Sequence, residues 1–212
     1  MTRKEKKTFA DDRTAAFFVI DTELEVWGTN SGLSDKKVTL EVTSFDLHSD
    51  WTNQWSKEVV LAQNASTELY EGELPGQPRR HTGSDIPKAI IVSSRLLDKT
   101  GVVLGRHCNW YDPGLFYAPI LSTPTCRPEP FKYIRFPCSS DVGLKVIVCA
   151  DGNSVLLSTN KPIKGLILDV DGQDVRWSDQ ALDLVPGDPQ TVKAEGLNGR
   201  EVQVRYLGDG TT

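Results

Sequence analysis

The sequence predicts an all-β protein made of two consecutive β-sandwich units. Three observations carry that prediction. Apolar and polar residues alternate along short runs, the period of a strand with one face buried. No stretch carries a 3.6-residue apolar stripe of helical length. Turns rich in Gly, Asn, Asp and Pro recur at short intervals, most regularly after residue 143, as in a small sandwich. A chain of 212 residues fits one large domain or two small ones.

Residues 1–15 are charged and irregular (Lys4, Lys6, Lys7, Asp11, Asp12, Arg13) and are expected to be an exposed lead-in. The first unit is read as residues 16–138. It opens with a strand over 16–28, where Ile20, Thr22, Leu24 and Val26 alternate with Asp21, Glu23 and Glu25. Residues 37–43 repeat the alternation, placing Val38, Leu40 and Val42 on one face. Shorter strands are expected at 55–61 and 67–71, then a Pro/Gly loop over 74–84. Residues 88–97 and 102–110 read as a hairpin around Asp98-Lys99-Thr100-Gly101. A further strand is expected at 131–136.

The second unit is read as residues 139–212. Its strands are expected at 144–149, 154–158, 165–170, 174–177, 182–185, 191–194 and 202–206. Asp151-Gly152, Asp171-Gly172 and Asn198-Gly199 stand where hairpin turns with φ > 0 are expected.

Apolar residues at 38% and charged residues at 25% describe an ordinary soluble domain. The net charge of -5 leaves no basic surplus for phosphates, so no nucleic-acid partner is expected. No apolar run approaches the roughly 20 residues of a membrane span, so no membrane partner is expected either. The charged start at Thr2–Thr8 is not followed by a signal-peptide core, which favours an intracellular address. Met1 is the only methionine, the pattern a truncated gene model would show. Cys108, Cys126, Cys138 and Cys149 are spaced by 18, 12 and 11 residues, without a C-x-x-C pair, and free thiols are expected. Asn64-Ala65-Ser66 is a glycosylation sequon, which matters only in a secreted protein.

Motifs of chemistry are missing: there is no G-x-S-x-G, P-loop or H-E-x-x-H, and His48, His81 and His107 are scattered. Asp169-Val-Asp171-Gly-Gln-Asp174 has its glycine in the fourth rather than the sixth place of a calcium loop, so an Asp-Gly hairpin turn is expected instead. No catalytic, cofactor-binding or metal-binding residue is assigned. Trp51, Trp55 and Trp110 lie near loops or strand ends, where sugar-stacking platforms are often built. They support an alternative, a stand-alone carbohydrate-binding module; the plainer role of each is core or interface. Trp177 is expected to be core.

Several stretches are similar to the C-terminal region of a fungal β-mannosidase B, a family 2 glycoside hydrolase. They include residues 6–16, Asp21-Thr-Glu-Leu-Glu-Val-Trp-Gly-Thr-Asn30 and Val42-Thr-Ser-Phe-Asp-Leu-His-Ser-Asp-Trp51. In the second unit they are Lys161-Pro-Ile-Lys-Gly165, Trp177-Ser-Asp-Gln-Ala181, residues 183–190, Leu197-Asn-Gly-Arg200 and residues 204–210. The resemblance implies two Ig-like β-sandwich domains that follow a catalytic (β/α)8 barrel, in an enzyme removing terminal β-linked mannose by a retaining mechanism. The implied partners are that barrel and, through it, a β-mannoside. The family's acid/base Glu follows an Asn, and this chain has no Asn-Glu dipeptide. A barrel needs about 250 residues of alternating strand and helix, which are absent, so the chain alone is expected to be inactive.

The resemblance also implies an uninterrupted Asn-Trp-Pro-Glu-Pro-Phe-Lys-Tyr. Here Asn109-Trp110 and Pro128-Glu-Pro-Phe-Lys-Tyr133 are separated by residues 111–127, a 17-residue insert. Trp110-Tyr111 must be encoded with GGTA, which holds a GT donor, and Cys126-Arg127 can be TGC-AGG, which holds an AG acceptor. Excision in that phase restores Trp-Pro in frame, so the insert reads as translated intron.

Overall fold

The computed structural model of the chain describes residues 15–20, 23–47, 49–73, 90–111 and 141–210. Among the described residues there are strands and turns but no helix, and thus none long and apolar enough to cross a membrane. The protein is all-β, and its chain divides into two compact units, Met1–Ile134 and Arg135–Thr212. The expected strand 131–136, the loop 74–84, His48, His81, Cys126, Cys138 and most of the lead-in and of the insert lie outside the described residues.

Among the described residues, seven strands build the first unit: β1 (Ala15–Ile20), β2 (Glu23–Asn30), β3 (Lys36–Asp46), β4 (Thr52–Leu61), β5 (Ala65–Glu73), β6 (Ile90–Leu97) and β7 (Val103–Tyr111). They form two antiparallel sheets, ordered β1-β2-β5 and β4-β3-β6-β7. Between the sheets, Leu24, Val26 and Leu69 meet Val38, Leu40, Val42, Leu61 and Ile90. The alternation on β3 thus faces inward as the sequence predicts.

The single strand expected over 16–28 is instead a hairpin, with β1 and β2 paired from Ala15↔Gly28 to Ile20↔Glu23. A reversal over two residues keeps a period of 2 running across it, and Asp21-Thr22 lacks the glycine that marks such turns. Gly28 is tightly packed: a Cβ there would fall 2.6 Å from Leu61 Cδ2 and 2.9 Å from Leu69 Cδ1, so those side-chain tips would have to shift. The β6–β7 hairpin forms as expected, with Gly101 at φ +83.

The described residues of the second unit also form seven strands: β8 (Lys145–Val148), β9 (Ser154–Ser158), β10 (Ile163–Asp169), β11 (Arg176–Trp177), β12 (Leu182–Leu184), β13 (Gln190–Glu195) and β14 (Gln203–Arg205). Their sheets are ordered β11-β13-β9-β8 and β12-β10-β14. Val155, Leu157, Val192 and Ala194 on one sheet belong to the same buried core as Leu166, Leu168, Leu182 and Leu184 on the other.

Of the three expected hairpin turns, only Asp151-Gly152 joins paired neighbours, β8 and β9. β10 pairs with β12 and β14, while β11 pairs with β13, so Asp171-Gly172 and Asn198-Gly199 carry the chain from one sheet to the other. Gly172 and Gly199 still adopt φ values of 92° and 72°. A turn's dihedrals are local, whereas the strand's partner is chosen by packing of both sheets. Trp177 packs against the core but remains half-buried, because its strand is a two-residue edge rather than a central one.

Candidate functional site

The three candidate tryptophans do not form one platform. Trp55 sits on β4 opposite Val42 and faces inward. Its ring centroid lies 4.9 Å from that of Tyr70 on β5, with the planes tilted by 44°. This pair links the edge strands of the two sheets. Trp55 Nε1 and Ser94 Oγ, both in the register row through Val42, are buried without hydrogen-bond partners. Trp110 faces the opposite side of the sheet in a row with Phe45 and Ile91, and is 2% exposed. Trp51, in the β3–β4 turn, is half-buried, as Trp55 is. Its N–H donates to Ser49 Oγ (3.3 Å), and its carbonyl accepts from Asp46 N (3.0 Å).

The residues that carried the family resemblance hold backbone together. Asn30, almost fully buried, donates through Nδ2 to the carbonyls of Ser34 (2.9 Å) and Leu61 (3.3 Å), while its Oδ1 accepts from Gly32 N (3.0 Å). Gln180 imitates a neighbouring strand: its Oε1 accepts from Leu168 N (2.9 Å) and its Nε2 donates to Leu168 O (2.8 Å). Asp183 accepts from Gly165 N (3.0 Å) and from Lys164 Nζ (3.2 Å), fixing the bulge where Gly165 takes φ +66. Arg200 donates to four backbone carbonyls, those of Leu197, Asp171, Gln173 and Gly196. Its guanidinium therefore lies against the Asp171–Gln173 carbonyls that a calcium loop would turn toward a cation. Among the described residues, no group of three His, Cys, Asp or Glu could hold a metal ion.

The carboxylates with a clear shift among the described residues are both lowered. Hydrogen bonds from the Thr100 hydroxyl, then from the Val102 amide, hold Asp98 below the usual carboxylate range. Asp151 is lowered by the Asn153 amide and the Ser154 hydroxyl. A general acid needs the opposite shift. Cys108 and Cys149 are half-buried and carry thiols rather than a disulfide. His107 is half-buried on β7, and the sequon residue Asn64 is exposed in the β4–β5 turn at φ 48.

The end of the first unit where β3 begins presents a cleft of about 590 Å³ between the β2–β3 and β6–β7 turns, lined by Asp35, Lys36, Lys37, Asp98, Lys99 and Leu104 among others. Neither this cleft nor the tryptophans could be ranked from sequence, because burial and end-to-end placement depend on strand register.

A family model described as a Mannosidase Ig/CBM-like domain matches residues 22–114, and one described as an Ig-fold domain of the same mannosidase type matches residues 140–209. "Beta-mannosidase B" of Thermothelomyces thermophilus is 27% identical over 212 residues, which is 98% of this chain and 22% of that protein. The same enzyme of Aspergillus flavus is 31% identical over 70% of this chain and 14% of its own length. Among solved structures, the β-D-mannosidase of Dictyoglomus thermophilum superposes with a TM-score of 0.63 at 13% identity, covering 92% of this chain and 22% of that one. The exo-chitosanase of Amycolatopsis orientalis gives 0.55 at 17% identity, covering 94% and 26%. Both structural likenesses support the fold alone. The chain thus spans about a quarter or less of the relatives it matches. Its two Ig-like sandwiches correspond to a non-catalytic part of those enzymes, and the chain belongs with the fungal β-mannosidases B.

Proposed function

We propose that the chain is the C-terminal, non-catalytic sandwich part of a β-mannosidase, an enzyme that removes terminal non-reducing β-D-mannose by a retaining mechanism. The two sandwiches, residues 16–138 and 139–212, brace the catalytic (β/α)8 barrel, which is their partner and binds the β-mannoside. The observation that carries this reading is the use made of the family-like residues: Asn30, Gln180, Asp183 and Arg200 all bind backbone of this chain. A scaffold needs such residues, and a catalytic centre would aim them at a cavity. Residues 111–127 are a foreign insert in the first sandwich; the interval between the two family matches, 115–139, takes in most of it.

The test is hydrolysis of an aryl β-D-mannoside. The purified 212-residue chain is expected to release no phenol, and the chain extended through its upstream reading frame to release it. Turnover by the 212-residue chain would sink the proposal. A free-standing sugar-binding module is disfavoured by the buried ring of Trp110 and by the packing of Trp55 against Tyr70. Titration with mannan oligosaccharides should accordingly give no heat, and saturable binding lost in Trp51→Ala would reverse that conclusion.

A further inference from the structure

Two turns of the second unit stack on one another, and one of them carries a reactive dipeptide. Asn198-Gly199 is the only Asn-Gly pair in the chain. Arg200 N donates to Leu197 O (3.0 Å), and Asn198 and Gly199 take φ values of 51° and 72°. These are the features of a tight type I′ turn. Both central residues are exposed. The turn rests on the β8–β9 turn: Gly199 N donates to Gly152 O (3.0 Å), and a Cβ on Gly152 would fall 3.4 Å from Gly199 N.

Asparagine followed by glycine is chemically labile. The glycine nitrogen attacks the asparagine Cγ, the new C–N bond closes a five-membered succinimide, and the side-chain amide leaves as ammonia with the nitrogen's proton. Water then opens either carbonyl, giving aspartate or isoaspartate. Glycine favours the attack because it carries no side chain beside the nitrogen. Asp-Gly pairs are weaker electrophiles, since an ionised carboxylate must first take up a proton. At Asp151-Gly152 the carboxylate is also engaged, by the Asn153 amide and the Ser154 hydroxyl. In the fold the attacking nitrogen of Gly199 is occupied as well: its N–H is donated to Gly152 O, a bond that attack on Cγ must break.

We infer that Asn198 is a self-modification site, latent in the folded second sandwich, which parting of the two turns converts to aspartate or isoaspartate. Reaction draws on the small population in which this turn is open. Its two products differ in consequence. Aspartate tolerates the left-handed conformation and leaves the main chain unaltered. Isoaspartate routes the main chain through the side chain and lengthens it by one C–C bond, about 1.5 Å, two residues before Arg200. The guanidinium then loses its joint hold on the carbonyls of Asp171, Gln173 and Gly196.

Ageing the purified 212-residue chain at mildly alkaline pH, folded and in concentrated urea, tests this. Peptide mapping locates isoaspartate, and the Trp177 indole resonance reports folding. Unfolded wild type should accumulate isoaspartate at position 198, and Asn198→Asp should remove most of it. Folded wild type should form it at least about tenfold more slowly. Protein enriched in isoaspartate and returned to native conditions should unfold below wild type, as Arg200→Ala does. Asn198→Asp should stay within about 1 °C of wild type. Equal rates in the two states would overturn the latency. Isoaspartate confined to the Asp-Gly pairs of the unfolded chain would overturn the site. An isoaspartyl protein with the wild-type midpoint would overturn the loss of the Arg200 contacts.

Discussion

Arg200 offers the sharpest test of the fold's internal logic. Its Nη1 donates to Asp171 O (3.0 Å) and Gln173 O (2.8 Å), Nη2 to Gly196 O (2.8 Å) and Nε to Leu197 O (3.1 Å). One side chain thus ties the turn after β13 to the turn between β10 and β11, two crossings between sheets. A hydrogen bond from a charged donor contributes about 1.5–3 kcal/mol. Three of the four carbonyls face solvent and can be rehydrated when the guanidinium is removed. The terms are therefore far from additive, and Arg200→Ala should destabilise the second unit by about 2 kcal/mol. For a unit of this size that lowers the midpoint by roughly 8–16 °C. Arg200→Lys keeps the charge but not the planar fork and should recover less than half of the loss. The assay is chemical unfolding followed by the Trp177 indole resonance, since Trp177 is the only tryptophan in residues 135–212. Loss below about 0.5 kcal/mol in both variants would refute the clasp.

Two further outcomes follow from the same geometry. Gly28→Ala places a methyl group against the tips of Leu61 and Leu69, 2.6 and 2.9 Å away, and should cost about 1–3 kcal/mol by overpacking. Adding Leu69→Val should recover part of that, and simple additivity in urea unfolding would contradict the assigned clash. Asp98 and Asp151 have folded pKa values below the ordinary 3.8. Protons therefore bind the unfolded chain better, so their stabilisation is complete above about 3.8 and lost as pH falls through the lower folded values. Burial and the nearby Asp209 raise Tyr206 above its usual 10.0, so its contribution is instead lost as pH rises beyond 10. Asp98→Asn/Asp151→Asn should flatten the acid limb alone, and an unchanged limb would count against the turn assignment.

Much of the fold was legible because alternation reports burial directly: Val38, Leu40 and Val42 point inward as a period of 2 requires. The β1–β2 reversal was hidden because two connecting residues preserve that period. Asp171-Gly172 and Asn198-Gly199 announced turns but not destinations, since a left-handed glycine is a local property and a sheet crossing is not. Trp110 looked available at a strand end, yet register sets it beside Ile91 and Phe45 in a covered row on the face away from the core. The candidate site was hardest to read. Family-like residues such as Gln180 and Arg200 invite a functional role in sequence, and only their hydrogen bonds to Leu168, Gln173 and Gly196 assign them to the scaffold.

The most direct test of the central claim, that these sandwiches are part of a β-mannosidase, is the sequence of the full-length transcript through this region. The account predicts an open frame that continues upstream of Met1 into an alternating strand–helix barrel with its Asn-Glu pair, and a major message in which Trp110 is followed directly by Pro128. A stop codon immediately upstream of Met1, in a message that begins there, would contradict the claim.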